Sequence, residues 1–331
     1  MKRPPEVATV TQFEDTSRAA RVLPRVLRRT LKPLIKNIPL NRIGFTALKA
    51  VDLTGLAMRT PGGTRRERVV YNGFEAELVT GPSAIATAGL MVHLHGGGFV
   101  AGGLRSHRGL AARLSEASEV PVLNVAYRLL PRATLSTTIA DCLAAYRWAL
   151  EKAADPGSIV LSGDSAGGYL AFAVAQRAAD EGLPPPAAIV ALSPWLDLEC
   201  RESAAHPDPA GDPFVSARQL GRVGSRLLSE GEGNLPPWDG DLSTLPPVLI
   251  QVGSREVLRC DAERLASRLA AHGVQHELQI WQNQVHVFQI FADILPEGRA
   301  AITEIGAFVR THLAPSRTPA PPPASTLRSP R

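Results

Sequence analysis

From about residue 90 onward, short apolar runs alternate with longer amphipathic stretches. Runs of four to eight apolar residues bounded by Gly, Pro or polar positions read as buried strands, and they predict strands over 90–95, 121–126, 158–162, 187–193, 247–252 and 275–281. The stretches between predict helices over 106–117, 137–153, 166–181, 260–272 and 297–312. That alternation specifies an α/β fold, a mostly parallel central sheet flanked by helices on both faces. It places functional loops at the carboxyl ends of the strands. Ahead of it, apolar residues at every second position (Val69, Tyr71, Phe74, Ala76, Leu78) predict an opening antiparallel hairpin.

The rhythm fails in three places. Residues 1–60 are expected to form a helical N-terminal cap or lid over a core spanning 61–313. There Arg18, Arg21, Arg25, Arg28, Arg29, Lys32 and Lys36 alternate with aliphatic residues, and Pro24, Pro33 and Pro39 are expected to interrupt any long helix. Residues 200–240, rich in Pro, Gly and Asp, are expected to be a second cap element with a helix over 214–228. Residues 314–331 have little to bury and are expected to be a disordered tail.

Two motifs carry chemistry. Gly163-Asp164-Ser165-Ala166-Gly167 joins a predicted strand to a predicted helix. A serine on such a turn has its hydroxyl thrust clear of the sheet, and the flanking glycines remove Cβ atoms that would collide where the chain reverses. Upstream, His95-Gly96-Gly97-Gly98-Phe99 follows another apolar run. Three successive glycines favour neither strand nor helix, but they let backbone N–H groups approach an anion. In α/β-hydrolases such a loop, together with the amide after the nucleophile, forms the oxyanion hole. The expected donors are Gly97, Gly98 and Ala166, and His95 is expected to hold the loop in shape. Asp164 is expected either to brace the turn or to tune the site electrostatically.

An imidazole and a carboxylate should follow the serine, the acid first. His286, in a loop past the last strand, is the expected base. His206, His272, His276 and His312 have positions that suit solvent exposure, a helix end or a strand start. For the acid, Glu256 lies in the loop three residues past Gly253, whereas Asp261 falls inside the next helix; Glu256 is preferred and Asp261 is its rival. Asp197 and His93 are expected to be structural.

The chain resembles the hormone-sensitive-lipase-like branch of the α/β-hydrolases, which carry HGGG and GDSAGG. The likeness runs from about residue 70 to 313 and includes Tyr127-Arg128-Leu129, Ser193-Pro194-Trp195-Leu196-Asp197-Leu198 and His286-Val287-Phe288. It implies a carboxylesterase or lipase-like serine hydrolase with Ser165 as nucleophile, His286 as base and Glu256 as acid, acting on short to medium acyl esters without cofactor or metal. An amidase or N-deacetylase with the same groups is the alternative, and a non-catalytic small-molecule receptor is a weaker one. Ala126, the stretch Leu130-Pro131-Arg132-Ala133-Thr134 and Gln282-Asn283-Gln284-Val285 depart from the branch's pattern, which leaves pocket shape open.

Charge modifies this picture. Residues 1–70 hold 15 Lys or Arg against 5 Asp or Glu, although the whole chain carries only +5. A cap packed on the core is the favoured reading of this basic segment, and contact with an anionic membrane surface is the less favoured one. Phe45 is the lone aromatic between 18 and 68, so no nucleic-acid partner is expected. The expected partner is a small-molecule ester, with homo-oligomerisation open. Three widely spaced cysteines (Cys142, Cys200, Cys260), no apolar run near 18 residues and no secretory leader fit reduced thiols and a cytoplasmic location.

Overall fold

Nine strands hydrogen-bond into one sheet in a computed structural model that describes residues 8–36, 38–39, 41–205, 212–229 and 239–313. They are β1 (Ala8–Phe13), β2 (Arg65–Tyr71), β3 (Phe74–Thr80), β4 (Leu90–Leu94), β5 (Val122–Ala126), β6 (Ile159–Asp164), β7 (Ala188–Leu192), β8 (Val248–Gly253) and β9 (His276–Trp281), in the order β1-β9-β8-β7-β6-β4-β5-β3-β2. The helices are α1 (Arg18–Arg29), α2 (Leu31–Lys36), α3 (Arg42–Lys49), α4 (Leu104–Ser118), α5 (Leu135–Lys152), α6 (Ala166–Asp180), α7 (Arg201–Ala205), α8 (Ala217–Ser229), α9 (Arg259–Ala271) and α10 (Pro296–Leu313).

β4 to β9 pair in parallel, and β2 and β3 add the antiparallel hairpin. Its two-residue turn, Asn72-Gly73, takes φ of 40° and 90°, the left-handed geometry that matches strand twist. β4 and β6 to β8 are buried at every position, so both faces are covered. Met91, Val122, Val160 and Val190 pack with α4 and α10 on one face, while Val92, Leu123, Leu161 and Ile189 pack with α5, α6 and α9 on the other.

The N-terminal segment departs from expectation in two ways. It begins with a strand, because β1 pairs in parallel with β9 from Ala8↔His276 to Phe13↔Trp281, and Phe13 stacks on Trp281 at 3.8 Å. Pro24 also does not break α1. It lies buried inside the helix, on the face that packs against Trp281, Val285 and Phe288, and the helix continues to Arg29. That burial outweighs the one intrahelical bond the proline forgoes. Pro33 sits in the first turn of α2, where a missing N–H has no helical partner to lose. Further on, Ala50–Ala57 forms a 3₁₀ turn whose Asp52 accepts the Arg105 and Ser106 amides at the start of α4. In the second expected cap element α8 starts at Ala217, because Asp212 holds Phe214 and Val215 in a turn. The expected tail 314–331, part of the 200–240 element and His206 lie outside the described residues.

Candidate active site

Ser165 stands alone between β6 and α6 with φ 53° and ψ −118°, a backbone geometry that L-residues avoid. Neighbouring bonds hold it there. Its N–H donates to Leu192 O at 2.8 Å, and its carbonyl accepts from Trp195 N and Gly168 N, each at 3.0 Å. The flanking glycines are required by close approach. A Cβ on Gly163 would lie 2.1 Å from Gly167 O, and one on Gly167 would lie 1.8 Å from Leu94 O. Ser165 is 5% exposed, and its hydroxyl forms no hydrogen bond with the described residues.

The glycine loop lies beside this turn, at the end of the neighbouring β4. A Cβ on Gly96 would lie 2.2 Å from Asp164 Oδ2, which measures how closely the two motifs approach. His95 Nδ1 lies 2.7 Å from Gly96 O, so that nitrogen carries the proton and donates. The His95 ring stacks on Tyr127 at 4.2 Å, and the Tyr127 hydroxyl donates to His95 O. Burial, then the charge of His107, pushes the His95 pKa down to about 3, so the ring is neutral and braces the loop. The amides of Gly97 and Gly98 have no backbone acceptor among the described residues. The Ala166 amide opens α6, where no helical acceptor exists.

Glu256 and His286 meet across the loops that follow β8 and β9. His286 Nδ1 donates to Glu256 Oε2 at 2.8 Å, and both residues are buried. Burial disfavours the imidazolium, but the bond and charge of Glu256, then the charge of Asp212, outweigh it and raise the His286 pKa above its ordinary 6.5. His286 Nε2 forms no hydrogen bond with the described residues, so it is available to a hydroxyl. The rival Asp261 is committed elsewhere. Its Oδ2 accepts the Leu196 and Asp197 amides at 2.8 and 2.9 Å, and burial pushes its pKa up to about 7.

Three further residues support the site, and none was singled out as such from the sequence. Ser193, at the end of β7, donates to Glu256 Oε1 at 2.7 Å and accepts from Val287 N at 3.1 Å. It follows Leu192, the acceptor of the Ser165 amide, so one strand end ties the serine turn, the carboxylate and the histidine loop together. Its place in Ser193-Pro194-Trp195, at the end of an apolar run, was the available signal. His107 lies 3.4 Å from Asp164 Oδ2, and His93 lies 3.4 Å from Oδ1. Burial alone would raise the Asp164 pKa, and these two imidazoles hold it well below the carboxylate range instead. Asp164 thus anchors the turn from beneath. Asp212 accepts Val257 N at 3.1 Å, and Lys32 Nζ donates to its carbonyl at 2.5 Å, which links α2, the approach to α8 and the loop carrying Glu256.

Asp197 caps its own loop through the Glu199 and Arg201 amides. Cys142, Cys200 and Cys260 are free thiols. Among the described residues no three His, Cys, Asp or Glu side chains gather to hold a metal, and no helix is long and apolar enough to cross a membrane.

The arrangement offers a hydroxyl on a strained turn, a buried imidazole–carboxylate pair and a cradle of amides without acceptors among the described residues, the components of acyl transfer. Comparison with known proteins points the same way. Residues 91–290 match the family model described as alpha/beta hydrolase fold. The chain is 37% identical over 316 residues to the carboxylesterase/phospholipase LipF of Mycobacterium tuberculosis strain H37Rv, covering 90% of this chain and 83% of that one. It is 40% identical over 224 residues to an acetyl-hydrolase of Streptomyces hygroscopicus, covering 67% and 75%. Among solved structures, an esterase from the bacterial hormone-sensitive lipase family superposes with a TM-score of 0.82 at 33% identity, covering 90% of this chain and 99% of that one. EstE5 soaked with ethyl alcohol superposes with a TM-score of 0.83 at 33% identity, covering 90% and 100%. The chain belongs to the alpha/beta-hydrolase family, in its hormone-sensitive-lipase-like branch.

Proposed function

We propose that the protein is a carboxylic ester hydrolase that works through Ser165, His286 and Glu256. The observation that carries this reading is the buried 2.8 Å bond between His286 and Glu256, on loops at the strand edge where Ser165 stands. His286 Nε2 takes the Ser165 proton as the hydroxyl attacks the ester carbonyl. Glu256 keeps the Nδ1–H tautomer and stabilises the imidazolium. The tetrahedral oxyanion rests on the amides of Gly97, Gly98 and Ala166, each donor lowering the barrier by about 3–4 kcal/mol. His286 returns the proton to the departing alcohol, and water then cleaves the acyl-enzyme by the same path.

The N-terminal segment and α8 act as the cap. Phe214 approaches the His286 ring at 6.1 Å, and the serine is nearly enclosed. Such crowding favours short to medium acyl groups, and a relative named acetyl-hydrolase fits that preference. A panel of p-nitrophenyl esters from acetyl to palmitoyl, with a matched anilide, tests the reading. Turnover should peak among the shorter esters. Turnover of the anilide alone would overturn the ester assignment.

Ser193→Ala is expected to lower kcat/KM by about tenfold to a hundredfold, the effect of losing a buried bond to a charged group. KM should change little, since Ser193 positions Glu256 and His286 and touches no substrate. An unchanged kcat would show that the strand end does not position the pair.

A further inference from the structure

α1 presents three distinct faces. Ala20, Leu23 and Leu27 are buried against the protein. Arg21, Pro24, Arg25 and Arg28, spaced i, i+3, i+4 and i+7, form one stripe along the wall of a cavity of about 490 Å³. Arg29 joins that wall, and Arg255 and Asn283 complete the lining from the loops after β8 and β9. On the outward side, Val22 and Val26 are 53% and 47% exposed.

Among the described residues the lining thus holds five arginines and no carboxylate. Among the described residues Arg21, Arg25, Arg29 and Arg255 form no ion pair, and Arg25 uses one N–H on the Arg21 carbonyl at 2.8 Å. Gathered guanidinium groups repel one another, a cost that solubility alone does not require. An anion seated among them offsets it, and the planar fork of arginine suits phosphate oxygens in particular.

Both walls are held in place. The Ser17 amide and hydroxyl at the start of α1 donate to Glu297 at 2.5 and 3.0 Å. Opposite, Arg255 N donates to Gln284 O at 3.2 Å, and Asn283 N donates to Ser254 Oγ at 2.9 Å. The backbones that carry both walls are therefore held by the fold.

A soluble phosphate would need the arginines but not the exposed valines beside them. A bilayer needs both. A basic helix lying in the interfacial plane places cations on headgroup phosphates and apolar side chains just below them. We propose that α1 docks this protein on anionic bilayers, with the arginine cavity seating the phosphate of an anionic phospholipid headgroup and Val22 and Val26 entering the interfacial layer. The surplus of cationic residues over 1–70 supplies long-range attraction of the same sign. Arg255 directly precedes Glu256, so docking would bring the loop that carries the carboxylate to the lipid surface. The proposal concerns binding and does not depend on ester hydrolysis.

Co-sedimentation of the full chain with vesicles of phosphatidylcholine, with and without phosphatidylglycerol, tests it. Binding to the anionic vesicles should exceed binding to the neutral ones by at least about tenfold and should collapse as salt rises from about 0.05 to 0.5 M. Arg21→Ser/Arg25→Ser should weaken partitioning about thirtyfold, the loss expected for two cations at such a surface. Val22→Ser/Val26→Ser should weaken it while leaving the salt dependence in place. Melting curves establish that the variants fold, and the lipid-composition and salt arms need no variant. Equal binding to both vesicle types, no binding, or an arginine variant that partitions like the parent would overturn the proposal. So would a melting-temperature rise with inorganic phosphate or glycerol phosphate alongside absent vesicle binding, the signature of a soluble-anion site.

Discussion

Ser165→Ala is expected to cut kcat/KM for a short-chain p-nitrophenyl ester by about 10⁵–10⁶-fold, the scale on which removing the nucleophile of a serine hydrolase operates. The fold should survive. The Ser165 hydroxyl forms no hydrogen bond with the described residues, so its removal leaves no buried partner unsatisfied. The strained φ of 53° is held by the backbone bonds to Leu192 and Trp195, which alanine retains. The melting temperature should therefore stay within a few degrees of the parent while turnover disappears. Burst release of p-nitrophenol, expected of the parent, should vanish in the variant. Retained turnover above about a tenth of the parental value would remove Ser165 from the reaction as its nucleophile.

The serine turn and the glycine loop were legible because their chemistry is local. Gly163 and Gly167 are fixed by contacts within the turn and with the adjacent strand end, so residue type at fixed spacing betrays them. The parallel sheet was legible for a similar reason, since strands buried on both faces leave unbroken apolar runs. β1 escaped notice because it is a six-residue edge strand with alternate positions open to solvent, and its identity rests on pairing with β9, more than 260 residues away. Pro24 misled because propensity argues for a break, while its burial in a helix whose neighbouring Ala20, Leu23 and Leu27 pack with Trp281 and Phe288 decides the outcome. Ser193, His107 and Asp212 stayed hidden for a third reason. Each acts through one or two bonds to a residue distant in sequence, and a lone Ser or Asp in a loop, or a lone His in a helix, looks like any other.

The carboxylate is where sequence left two candidates, and paired substitutions separate them. Glu256→Gln preserves volume and can keep the bonds from Ser193 and Gly253 to Oε1, but it removes the charge facing the His286 N–H. The comparable change in a serine protease costs about 10⁴ in kcat, and a loss of that order is expected here. Asp261→Asn should do far less, because a single oxygen of Asp261 accepts both the Leu196 and Asp197 amides, and an asparagine carbonyl reproduces that. The pH profile adds a readout that a purely structural role would not move. His286 must be neutral to act as base, and its raised pKa places the acid limb of kcat/KM above pH 6.5, with activity lost as pH falls through it. With the Glu256 charge gone, burial regains the upper hand over the remaining pull of Asp212, so the limb should move to lower pH in Glu256→Gln and stay in place in Asp261→Asn. Were Asp261→Asn the variant that loses turnover and shifts the limb, the imidazole would be answering to the helix carboxylate, and the 2.8 Å contact with Glu256 would be structural.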